Sequence, residues 1–148
     1  MSKNIRIEKA REDDLPEILC LLKISDLPNA DLSEHITSTF VAREGRKIFG
    51  SAALELYGTY ALLRSVAVAP EYRGTGLGER LTHAALEFGK ASGITHFFLL
   101  TETAETYFAR FGFRTVDRSV IPAEVKESTQ FKSVCPESAL AMELCLAR

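Results

Sequence analysis

Apolar positions along the chain switch between a period near two and a period near 3.6, and the switches mark the elements. Ile5-Arg-Ile7 alternates and predicts a short strand. Leu15, Ile18, Leu19 and Leu22 fall at helical spacing, and Asp14 with Glu17 reads as a capping pair ahead of them. The pattern breaks from Ser25 to Asn29, with Pro28 as its marker, and a short polar helix is expected around Leu32 to Ile36. Strands follow at 39–43 and 47–57, separated by a turn at Glu44-Gly45-Arg46. After Gly58-Thr59, residues 60–69 are almost all apolar, as in a central strand covered on both faces. Leu77, Leu81, Ala84, Ala85 and Phe88 form one helical stripe that Gly93 closes. His96 to Thr101 returns as a strand, which makes a parallel strand–helix–strand unit. Thr103 is placed to cap a helix carrying Phe108 and Phe111 and ending at Gly112. Strands at 113–119 and 139–146 and a helical turn at 121–126 complete the pattern. Mostly hairpins, one parallel crossover and a late returning strand describe an α+β fold with a mixed, mainly antiparallel sheet of about seven strands.

The link between the central strand and its helix holds the most chemistry. It reads Pro70-Glu-Tyr-Arg-Gly-Thr-Gly-Leu-Gly78, with glycines at 74, 76 and 78. Glycine admits positive φ and lets a ligand approach the backbone. The loop ends at a helix N-terminus, where unpaired N–H groups favour anions. A Walker A loop would continue with Lys-Ser or Lys-Thr, but Glu79 and Arg80 follow. A dinucleotide fingerprint would need glycine at 79 and finds Glu79. The remaining pattern, Arg73-x-x-Gly76-x-Gly78, suits a pyrophosphate cradle, the plainer alternative being a glycine-rich turn before an ordinary helix.

Composition narrows the class. At 148 residues the chain is expected to form one domain over 1–148, and 46% hydrophobic with 26% charged residues describes a globular protein. A net charge of −2 with no long basic run argues against a nucleic-acid partner. No apolar run reaches the length of a membrane span. Cys20, Cys135 and Cys145 and the histidines at 35, 83 and 96 show no metal-ligand spacing, so no metal is expected and a reducing cytoplasm is the expected compartment.

The strand, Pro70, Arg73, Gly76, Gly78 and helix, all in register, resemble the acetyl-CoA signature of the GNAT superfamily of N-acetyltransferases. The resemblance covers nearly the whole chain. It implies that Arg73, Gly74, Thr75, Gly76, Leu77 and Gly78 cradle the pyrophosphate of acetyl-CoA. It also implies that two strands, 62–68 and 96–101, splay where the coenzyme enters, so that the backbone of Val66, Ala67 and Val68 receives the pantetheine arm and stabilises the oxyanion. A narrower resemblance rests on Leu54-Glu-Leu-Tyr57, Leu62-Leu-Arg-Ser65, Leu99-Leu-Thr-Glu-Thr103, Phe111-Gly-Phe113 and Cys135-Pro-Glu-Ser-Ala139. It is to bacterial arsenic-resistance-linked and short, glutamate-type amino-acid N-acetyltransferases. Members often carry three threonines after the double leucine, whereas Glu102 stands in the middle here, a carboxylate that would repel an acidic substrate or receive a cationic one.

The expected reaction is direct attack of a small-molecule primary amine, an amino acid or a toxic analogue of one, on acetyl-CoA. A non-catalytic acyl-CoA sensor and a protein N-terminal or lysine acetyltransferase remain open, as does a homodimer. Glu55, a charge within the apolar run 52–56, is the candidate base, the alternative being an ion pair with Arg64. Arg64 itself reads either as a carboxylate clamp for the substrate or as that structural partner. Thr101, Gln130 and Ser138 are the other candidate substrate contacts. The family often places a tyrosine acid where Phe108 stands, and Tyr107, about 100° further round a helix, is expected to face elsewhere.

Overall fold

The computed structural model describes residues 5–27, 31–128 and 139–146. Seven strands form one sheet: β1 (Arg6–Lys9), β2 (Thr39–Glu44), β3 (Lys47–Tyr57), β4 (Tyr60–Val68), β5 (His96–Thr101), β6 (Arg114–Val116) and β7 (Leu140–Cys145). Their order is β1-β2-β3-β4-β5-β7-β6. Neighbours are antiparallel except β4 and β5, which run parallel because the helix α2 (Leu77–Ala91) crosses between them. Among the described residues the further α-helices are α1 (Leu15–Ile24), α3 (Glu105–Ala109) and α4 (Ala123–Lys126).

The alternation of β-strand side chains sorts the core into two layers. Leu54, Ala61, Leu63, Phe97 and Leu99 face α2 and pack with its Leu77, Leu81 and Ala85. Val41, Ala53 and Ala67 point to the opposite side, against Ile18, Leu21 and Leu22 of α1. On that same side Leu62 and Phe98 are covered by Ile121 and by Val125 of α4.

Several local expectations are corrected. Asp14 and Glu17 do not form a reciprocal cap: Asp14 accepts from the Arg11 amide and from Arg43, and Glu17 accepts from the Ile48 amide of β3. Tertiary partners outbid the local one. Thr103 does not cap α3 either, because the Ala104 amide donates to Thr101 Oγ1 at 3.0 Å. The strand expected at 113–119 is confined to β6, since 118–120 turn into a 3₁₀ helix capped by Asp117. The segment around 32–36 is a 3₁₀ helix over Leu32–Ser38, interrupted by non-helical backbone at His35.

Candidate active site

The parallel pairing of β4 with β5 runs only from Tyr60↔His96 to Leu62↔Phe98. Past that point the strands diverge. On its other side β4 stays paired to β3, but with a register shift: Ser51 opposes Ala67 while Ala53 opposes Arg64. One extra residue is therefore bulged out of β4. Ser65 absorbs it with φ of 60°, a left-handed value on a non-glycine residue, and its carbonyl is held by the Ser51 hydroxyl at 2.7 Å. Bulges of this kind re-aim backbone groups and concentrate at functional sites.

The divergence opens a cleft of about 740 Å³. It is lined by residues 63–68 of β4 and by 99–104, together with Tyr107 and Phe108 of α3 and Ser25, Asp26 and Leu27. Backbone groups of β4 that β5 would otherwise satisfy face this space, and a buried edge of that kind is costly without a partner. A ligand built of amides can lie along it as an added strand.

Where β4 ends, Arg73 lines the cleft and donates from Nε to the Val68 carbonyl at 3.1 Å. The loop then turns through Gly74 and Gly76, at φ of 81° and 86°, with open space where each Cβ would stand. The Thr75 hydroxyl ties the turn to the Tyr72 carbonyl. Gly76 is the N-cap of α2, and its carbonyl accepts the first helical bond, from the Arg80 amide. The amides of 77–79 are thus left without helical partners. The Leu77 side chain is buried in the core, so only its backbone is available to a ligand at this loop. Gly78 is packed instead: a Cβ there would stand 3.0 Å from Tyr107 Oη and 3.3 Å from a Val68 methyl.

Glu55 is placed differently from the sequence expectation of a base reaching the acceptor. Its side chain is wholly buried and is not part of the cleft lining. It accepts from Arg64 Nη1 at 2.6 Å and from the Tyr57 hydroxyl. The same Nη1 donates to Asp31 Oδ1 at 2.7 Å, and Arg64 Nε lies 3.1 Å from Ser65 Oγ. His35 Nε2 stands 3.6 Å from Asp31 and 3.7 Å from Glu55. Asp31, His35 and Glu55 group in a manner able to hold a cation, and the Arg64 guanidinium supplies positive charge there. Burial, and then the bond to Glu55, push the Tyr57 phenol well above its usual value. Arg64, although it borders the cleft, is committed to this cluster. The ion-pair alternative is therefore the arrangement found for Glu55 and Arg64, in place of a free base and a free carboxylate clamp.

Of the other anticipated residues, Val66, Ala67, Val68, Arg73 and Thr101 line the cleft, while Gln130 and Ser138 lie outside the described residues, as does Cys135. Tyr107 does not turn away: its ring is part of the cleft wall, yet its hydroxyl is buried beside Gly78 and Thr82 of α2. Burial pushes that phenol up as well. Sequence reasoning missed Asp26, Asp31, His35 and Tyr57. Tyr57 carried a signal, since it shares a strand face with Glu55 two residues away. The two aspartates sit at positive φ, 59° and 54°, in the connection after α1, where no periodicity reveals which way a side chain points.

Comparison with known proteins identifies this architecture. The family model for the acetyltransferase (GNAT) domain matches residues 35–115. An amino-acid acetyltransferase of Mycobacterium tuberculosis is 30% identical over 129 residues, spanning 80% of this chain and 74% of that protein. An amino-acid acetyltransferase of Neisseria meningitidis serogroup A is 24% identical over 127 residues, and there the chain matches only 29% of the longer protein. Among solved structures, N-acetylglutamate synthase from Neisseria gonorrhoeae, complexed with coenzyme A and N-acetyl-glutamate, superposes with a TM-score of 0.83 at 22% identity. That superposition covers all of this chain and 36% of the synthase chain. Among the described residues no helix is long and apolar enough to cross a membrane. With a splayed parallel pair, a bulged central strand and a glycine cradle at a helix N-terminus, the chain belongs to the GNAT acetyltransferase family of acetyl-CoA-dependent N-acetyltransferases.

Proposed function

We propose that this protein acetylates the primary amine of a small molecule of the amino-acid class, and that the acceptor bears a neutral or basic side chain in preference to an acidic one. The observation that carries the second half is the charge of the cleft. Its carboxylates among the described residues are Asp26 and Glu102, while Arg64, which also lines it, is already shared between Asp31 and Glu55. The remaining positive charge lies at Arg73 and the unpaired amides of α2, where the coenzyme's pyrophosphate is to lie. The anion-accepting groups of the cleft are thus taken up by the coenzyme, and Asp26 and Glu102 are the charges it offers to an acceptor. The relatives' amino-acid activity supports the first half.

In this reading the pantetheine arm pairs with the open edge of Val66–Val68. The thioester carbonyl meets a backbone N–H re-aimed by the Ser65 bulge; one such donor is worth roughly 3–4 kcal/mol in the transition state. The acceptor arrives as an ammonium, Asp26 or Glu102 takes its proton, and the amine attacks the thioester directly. A thiol leaving group with pKa near 8.5 departs without an obligatory acid.

The test is release of coenzyme thiol with a panel of amino acids. Basic and neutral acceptors are expected to give kcat/KM at least about tenfold above glutamate and aspartate, a difference of about 1.4 kcal/mol. Glu102→Thr should narrow that gap. Glutamate as the best acceptor would refute the charge argument. Tight acetyl-CoA binding with no turnover on any amine would instead favour a coenzyme-binding module.

A further inference from the structure

At the end of β5 away from the cleft, His96 lies directly across from Cys145 of β7. The Cys145 sulfur is 3.3 Å from His96 Nε2. The other ring nitrogen, Nδ1, is 2.9 Å from the Thr95 hydroxyl, and that hydroxyl donates to the Thr59 carbonyl at 3.4 Å. With its hydrogen directed at Thr59, the hydroxyl meets Nδ1 with a lone pair. In that arrangement the ring hydrogen is on Nδ1 and Nε2 faces sulfur as the bare nitrogen, the tautomer that proton transfer from sulfur requires. The ring plane is fixed by Tyr60, edge-on at 5.7 Å, and by Phe98, lying within 10° of parallel. The thiol is exposed. A cysteine acts as a nucleophile through its thiolate, and an adjacent imidazole that takes its proton raises the thiolate fraction.

We propose that Cys145, with His96 as its proton acceptor, is a reactive thiol that forms mixed disulfides with small disulfide-bearing molecules. The Sγ proton passes to Nε2 and Sγ attacks one sulfur of the incoming disulfide. A new S–S bond forms as the old one breaks, and the departing thiolate takes the proton from the imidazolium. Cys145 is oxidised and half of the incoming disulfide is reduced. Nothing in this step involves acetyl-CoA, because the β4–β5 splay opens at the opposite end of β5.

Cys20, exposed on α1 and with no imidazole partner among the described residues, is the internal control. The full chain is treated with a nitrobenzoate disulfide, and each cysteine is followed by peptide-resolved mass spectrometry. At pH 7 Cys145 is expected to react at least about tenfold faster than Cys20, and the two rates should converge by about pH 9.5, where hydroxide replaces the imidazole as the base. His96→Gln, with the fold verified by circular dichroism, should bring Cys145 down to the Cys20 rate. A Cys145 rate at or below that of Cys20 at pH 7 overturns the proposal, as does an excess that survives His96→Gln. Should that variant fail to fold, an excess in the wild-type chain that persists undiminished at high pH overturns it alone.

Discussion

Replacing Glu55 separates the two roles that its position in an apolar strand allows. Its carboxylate is wholly buried, and Arg64 Nη1 and the Tyr57 hydroxyl both donate to it. Glu55→Ala removes one of the two carboxylates that, among the described residues, pair with a side chain only 1% exposed, and it leaves a buried phenol without this acceptor and a void. Breaking a buried ion pair from one side costs about 3–5 kcal/mol. Because Asp31 still engages the same Nη1, the lower end applies, about 3 kcal/mol. Glu55→Gln keeps the shape and one acceptor but loses the charge assistance, for about 2 kcal/mol. Urea unfolding gives these numbers, and thiol release measured well below the unfolding midpoint gives turnover on folded protein. Turnover of Glu55→Gln should stay within about fivefold of the parent, since the group does not line the cleft. Adding Arg64→Met to Glu55→Gln should cost less than the sum of the two single changes, because the second removes a charge that the first left under-compensated. The opposite pattern would refute this reasoning: unchanged stability with a hundredfold fall in turnover that recovers at high pH would make Glu55 the base.

Three further outcomes follow from the same geometry. Gly76→Val puts a β-branched residue at φ of 86° in the N-cap of α2, so the variant should fold with a local strain of about 1–3 kcal/mol and lose acetyl-CoA affinity by calorimetry; unchanged binding would remove the pyrophosphate from this loop. Gly78→Ala crowds Tyr107 Oη at 3.0 Å and should cost about 1–3 kcal/mol in a melting experiment, a loss that Tyr107→Phe should partly relieve, while Tyr107→Phe alone should change turnover less than about threefold because its hydroxyl is buried against α2. Burial opposes ionisation of Asp14, but the bonds from Arg43 and the Arg11 amide outweigh it and hold its pKa below 3.8. The stabilisation is therefore full above that value and is lost as pH falls through the lower, folded value, so Asp14→Asn should be less stable than the parent at pH 7 and the gap should close in acid unfolding below about pH 3.8.

What was legible in the sequence is what local chemistry decides. Gly74 and Gly76 announce positive φ because other residues resist it, and both adopt it. β5 spans His96–Thr101 as its apolar run predicts, because a central strand covered on both faces has no competing reason to end elsewhere. The bulge in β4 was not legible: Ser65 takes a left-handed conformation without the glycine that would advertise it, held by a hydroxyl on the neighbouring strand. Tyr107 was half legible. Helical rotation does separate it from Phe108, but a ring that reaches the start of α2 still forms cleft wall, which a wheel cannot show.

The Glu55–Arg64 pair marks the boundary between these cases. Two charges in adjacent apolar strands were visible, and the hairpin register, with Leu62 opposite Glu55 and Ala53 opposite Arg64, makes them diagonal neighbours on one face. Pairing was therefore derivable from the turn at Gly58. The deciding partner was not, because Asp31 approaches Arg64 from a connection with no period. With Asp31 present, the guanidinium has two carboxylates to satisfy before any substrate arrives, and a buried charge so committed gives up its partners only at a cost of several kcal/mol. That energy separates a structural arginine from a binding one. Under the proposed function it also leaves Asp26 and Glu102, among the described residues, to set the charge of the acceptor.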